Sequence, residues 1–86
     1  MSDANITETV GAFLTERVRP LPETGVLTVD EPLLSTGRVD SLGVLELIAF
    51  LEERYDIRFE AHEVDREHLN SIRAIEKTVR SKLRRR

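Results

Sequence analysis

The chain of 86 residues is expected to be all-α: a small four-helix bundle of three main helices and one short third helix, with a long loop between helices 1 and 2. Three observations lead there. Apolar residues recur at helical spacing in three separate stretches, the three prolines all fall in one central segment without periodicity, and the length suits one small domain. At this size roughly 60–65% of the extended-chain surface can be buried, which leaves little room for an enclosed active site.

The first helix is placed at about 4–18. Ile6, Val10, Phe13, Leu14 and Val18 make one stripe, and Asn5 with Glu8 has the spacing of a capping box. Pro20 is expected to end it, since its ring removes a donor and biases Arg19 away from helical geometry. Residues 19–39 then hold three prolines and two glycines, a loop well beyond usual connection lengths. Leu21, Val26, Leu27, Val29, Leu33 and Leu34 give it enough apolar surface to lie over a helical core, with one turn of helix expected at Asp30–Leu34 and a bend at Gly37.

The second helix is placed at about 41–55, with Asp40 as N-cap and Val44, Leu47, Ile48, Leu51 and Tyr55 as its core-facing stripe. Ile57 and Phe59 alternate with Arg58 and Glu60, which predicts a short extended connector with two inward anchors. A short third helix is placed at about 61–68 with Val64 as its buried residue. The last helix, about 71–84, has Asn70 or Ser71 as cap and Ile72, Ile75, Val79 and Leu83 as its stripe. Lys82, Arg84, Arg85 and Arg86 oppose the negative end of its dipole.

Composition narrows the function. There is no cysteine, so a disulfide framework or thiolate metal site is excluded and any thiol chemistry must come from an added group. No window has the length of a membrane span, and Met1–Asn5 begins neither a signal nor a transit peptide, so a cytoplasmic monomer is expected. Net charge is −3, unevenly spread: Asp40 to Asp56 holds five acids and one base, Lys77 to Arg86 six bases and no acid. The basic tail lacks the basic face or interleaved aromatics of a nucleic-acid binder. His62 and His68 lie in a polar stretch without a helix-spaced ligand set and are read as surface residues.

The informative stretch runs from Gly37 to Ile48, where the irregular segment gives way to the second helix. With Asp40 as cap, Ser41 is the first helical residue, and its hydroxyl sits where exposed N–H groups and the positive end of the helix dipole gather. A phosphodiester is electrostatically favoured there. Leu42, Leu45 and Ala49 are apolar but fall opposite the core stripe, interleaved with Glu46 and Glu53. An apolar strip with carboxylates beside an exposed serine suits transient protein docking, and Leu42, Leu45, Glu46, Ala49 and Glu53 are the expected contacts. Glu52 lies at the edge of that face. Phe50 flanks it, buried by the loop or left for a partner.

The run Gly37 to Leu42, with Leu45-Glu46-Leu47-Ile48 and Leu51-Glu52-Glu53-Arg54-Tyr55-Asp56-Ile57, resembles the acyl carrier and peptidyl carrier protein family, from Asp30 to about Leu83. In that family the serine of an Asp-Ser-Leu motif bears 4'-phosphopantetheine. The resemblance implies that Ser41, preceded by Asp40, is the covalent attachment point and that the protein is not an enzyme. It further implies a free-standing carrier that holds an acyl or aminoacyl group as a thioester for fatty-acid, polyketide or other specialised biosynthesis. Implied partners are a phosphopantetheinyl transferase, an acyl- or aminoacyl-loading ligase, and downstream synthase or transferase enzymes. Gly43 departs from the acidic or polar residue many members carry there, and the basic tail is less usual. The alternative is an unmodified helical adaptor using the same face. An esterase with Ser41 as nucleophile is disfavoured by the missing Gly-x-Ser-x-Gly elbow.

Overall fold

The structure, a computed structural model, describes residues 4–18 and 27–85, with side chains from Ile6 onward. Its helices are α1 (Ala4–Thr15), α2 (Ser41–Tyr55), α3 (Arg66–Leu69) and α4 (Ile72–Arg84), with a 3₁₀ turn at Ala61–Glu63 before α3. Among the described residues there is no strand. The fold is a small all-α bundle with a long connection between α1 and α2. The expected helix stop at Pro20, the loop residues Leu21 and Val26, the Asn5 side chain and Arg86 lie outside the described residues.

Amphipathic periodicity determines how the helices meet. Ile6, Val10 and Leu14 of α1, Val44, Leu47, Leu51 and Tyr55 of α2, and Ile72, Ile75 and Val79 of α4 turn inward together and are buried. Burying side chains of this kind contributes about 1.5–3 kcal/mol each. α4 packs against α1, α2 and α3 and so forms the centre of the bundle. Val18, Leu33, Val39 and Ile57 complete the core from the connections, and Phe59 packs against its edge.

Three local expectations are corrected. The first helix ends at Thr15 rather than 18, its last turn tightening where the Arg17 amide bonds only three residues back, to the Leu14 carbonyl that the Val18 amide shares. Thr15 Oγ1 donates to the Gly11 carbonyl (2.7 Å), Arg17 Nη1 to that of Phe13 (3.1 Å), and the Arg17 and Val18 amides both donate to that of Leu14 (2.9 and 2.8 Å). The loop makes no helical turn at Asp30–Leu34. The Leu33 and Leu34 amides donate to Asn70 instead of to neighbouring carbonyls, and the chain turns at 28–31 and 34–37.

The third helix, expected as one piece over 61–68, is two pieces. Asp65 interrupts it by capping α3, its Oδ1 accepting from the His68 amide at 3.0 Å. Val64 is 39% exposed, and the buried residues are Leu69 and Glu63. Glu63 tolerates burial because Lys82 Nζ lies 2.5 Å from its Oε1 and the Glu60 amide donates to the same oxygen at 2.8 Å. Lys82 is therefore tied to Glu63 as well as standing in the last turn of α4.

Candidate functional site

Asp40 has extended backbone, and its Oδ1 accepts from the Gly43 amide at 2.8 Å, while its carbonyl accepts the first helical bond, from Val44, at 2.9 Å. The carboxylate is thus committed to holding the helix start. Ser41, next in the chain, is exposed. Beside it is a recess of about 260 Å³ lined by Arg17, Arg38, Asp40, Leu42, Gly43 and Glu46 among others. The recess carries two carboxylates, Asp40 and Glu46, as well as two arginines that are paired with Glu46 and Glu31, so the feature at Ser41 that suits an anionic group is the N-terminus of a helix 15 residues long.

The approach to Ser41 is shaped by small groups. Gly37 has φ +75° and closes the 34–37 turn, its amide donating to Leu34 at 3.2 Å. A Cβ on Gly43 would lie 3.0 Å from Val39 Cγ1, so the absence of a side chain lets Val39, itself buried, press against the helix start. The segment 27–39 is fastened on the side of α4. The Arg73 amide donates to the Val29 carbonyl (2.9 Å) and Arg73 Nε and Nη2 grip both oxygens of Asp30 (2.7 and 3.2 Å), while within the segment Arg38 pairs with Glu31 (3.3 Å).

On the outward side of α2, Leu42 and Leu45 are 65% and 64% exposed, and Glu46, Ala49 and Glu53 are exposed with them. Glu52 is turned to structure, its Oε2 accepting from the Phe59 amide at 2.8 Å and so fixing the connector after α2. Phe50 is half-buried against Phe13 of α1. Arg17, which sequence reasoning missed, reaches this face: its guanidinium lies 3.8 Å from the Phe13 ring centroid, and its Nε lies 3.8 Å from Glu46 Oε1. The i, i+4 spacing of Phe13 and Arg17 was the available signal.

His62 is exposed, and His68 Nδ1 lies 2.7 Å from Asp65 Oδ1. No described helix is long and apolar enough to cross a membrane.

The chain matches the family described as "Phosphopantetheine attachment site" over residues 14–79. It is 43% identical over 47 residues to proteins named D-alanyl carrier protein from Streptococcus sanguinis, Streptococcus gordonii and Streptococcus thermophilus. The match takes in 55% of this chain, which spans about 60% of the length of those relatives.

Proposed function

This chain belongs to the phosphopantetheine attachment site family of non-catalytic carriers, whose cofactor is covalent 4'-phosphopantetheine, and from that premise we propose that Ser41 is the residue that bears it. The observation that carries this reading is an exposed serine at the first position of a helix capped by Asp40. A phosphopantetheinyl transferase would move the arm from coenzyme A to the Ser41 oxygen, the serine giving up its proton as the new phosphodiester forms and adenosine 3',5'-bisphosphate leaving as the pyrophosphate bond of coenzyme A breaks. The arm, once attached, supplies the thiol that this cysteine-free chain lacks and holds an acyl or aminoacyl group as a thioester.

The chain's own contribution is presentation. Asp40 keeps the helix start formed, Ser41 stands clear of the core, and the Leu42, Leu45, Ala49, Glu46 and Glu53 face is offered to a loading ligase and then to downstream synthases or transferases. Tethering makes each transfer effectively local, while a small apolar patch with a charged rim allows release. The curated relatives favour an amino acid such as D-alanine as cargo. A cytoplasmic setting, where coenzyme A and an activating ligase are available, completes the reading.

The test is intact mass after incubation with coenzyme A and a broad-specificity phosphopantetheinyl transferase. Wild type should gain one phosphopantetheine and Ser41→Ala none. No gain on either supports the unmodified adaptor instead. A D-alanine-activating ligase should then load the modified protein and leave the unmodified one alone; loading by a fatty-acyl ligase only would overturn the aminoacyl cargo.

A further inference from the structure

We infer that Asn70, at the corner between α3 and α4, is a positioning residue that sets how Ser41 is offered to the transferase; this rests on the reading of Ser41 as the attachment site. A single side-chain oxygen, Asn70 Oδ1, accepts from three consecutive amides, those of Leu33 (3.2 Å), Leu34 (2.8 Å) and Ser35 (3.0 Å). Its Nδ2 donates to Ser35 Oγ at 3.3 Å, and the Leu33 amide also donates to the Asn70 carbonyl at 2.7 Å. Three amides on one oxygen hold the 33–35 backbone in one shape, since rotating any peptide unit away strands a donor.

That shape is passed on to the serine. The Leu33 carbonyl accepts from the Val39 amide at 3.2 Å, Leu33 and Val39 are both buried, and Val39 presses on Gly43 beside the Asp40 cap. Between Asn70 and Ser41 there is thus a short, continuous path through Leu33, Val39 and Asp40. At its other end Asn70 closes α3, its amide donating to the Arg66 carbonyl at 3.1 Å, so α3 is linked to the Ser41 approach through one amide side chain. Neither the family match nor the docking face assigns Asn70 a part.

The proposal separates shape from stability. Asn70→Asp keeps a side-chain acceptor for all three amides, whereas Asn70→Ala removes it from Leu34 and Ser35 and leaves Leu33 the backbone carbonyl of residue 70. With a transferase and coenzyme A, Asn70→Ala should raise KM for the carrier about tenfold with kcat little changed, because only a fraction of molecules present Ser41 correctly before docking. Asn70→Asp should restore KM to within about twofold of wild type by the same argument. Amide hydrogen exchange at Leu34 and Ser35 should accelerate in Asn70→Ala while exchange in the centre of α4 stays as in wild type. Should Asn70→Ala lose its helical signal, Asn70→Ser, whose hydroxyl is too short to reach three amides, takes its place. Faster exchange at Leu34 and Ser35 with unchanged KM overturns the proposal, as does wild-type exchange at those amides in Asn70→Asp with KM still raised. If wild type is modified elsewhere than Ser41, or not at all, it is the attachment reading that fails, and the exchange data still report on the clamp.

Discussion

The rings of Phe13 in α1 and Phe50 in α2 are stacked, with centroids 4.3 Å apart and planes inclined by 17°. The Arg17 guanidinium lies over the Phe13 ring as well. This stack places half-buried Phe50 in the contact between two helices. A stacked pair adds about 0.5–1.5 kcal/mol to what burial of the ring contributes, so Phe50→Ala should lower stability by about 2 kcal/mol. Chemical denaturation checks this, and a loss below about 0.5 kcal/mol would leave the ring to a partner after all.

Gly11 lies inside α1, where a Cβ would meet Ile72 Cδ1 at 3.7 Å, an ordinary contact. Gly11→Ala should therefore stabilise the protein by about 0.5–1 kcal/mol through reduced chain entropy and better helix propensity. The denaturation midpoint should rise with an unchanged slope.

Gly37 is the opposite case. Its φ of +75° is strained for any residue with a Cβ although no atom lies within 4 Å of the added position. Gly37→Ala should cost about 1–2 kcal/mol and Gly37→Asn less, measured by the same unfolding experiment.

Burial alone would raise the Glu63 pKa, but the Glu60 amide and the Lys82 ammonium outweigh it and hold the carboxyl below its ordinary 4.5. A lowered folded-state value means stability that is present above the unfolded value and lost as pH falls through the folded one. Lys82→Met should cost about 1–3 kcal/mol near neutrality, because it leaves a carboxylate with little solvent access and one partner fewer. The difference from wild type should shrink as the pH falls through the folded-state value of Glu63, on the acid side of its ordinary range, where the carboxyl takes up its proton. A difference that stays constant through the whole acid titration of the carboxylates would show that the pair contributes nothing through charge.

Glu46 is already neighboured by Arg17, at 3.8 Å between Nε and Oε1. On the docking reading a basic partner competes with that guanidinium. Glu46→Lys should slow transfer to the cognate partner while leaving helicity intact, and Arg17→Ala should speed it, by up to about fivefold for an exposed pair worth at most about 1 kcal/mol. Equal effects of both substitutions in the same direction would remove Glu46 from the interface.

What was legible in the sequence is what periodicity and caps encode. The stripes on the three long helices can be read because each repeats over several turns, and Asp40 because a short acid before an apolar run has one common use. Val64 was misread as buried because a single apolar residue in a polar stretch carries no phase; Asp65 capping α3 turned it outward. The loop's shape was illegible for a different reason. It depends on Asn70 and Arg73, which lie more than 30 residues along the chain from the backbone they hold. Arg17 and Glu46 likewise meet only after α1 and α2 have packed.

Leu42 and Leu45 remain in water on a surface whose neighbours are Glu46 and Glu53. Such a surface has to survive the intervals between encounters, when another copy of the same molecule offers a matching greasy strip. Two copies meeting leucine to leucine bring their carboxylates together, and that repulsion acts over about 8 Å at physiological ionic strength. The acids that attract a basic visitor thereby also discourage self-adhesion, and concentrated salt should weaken both together.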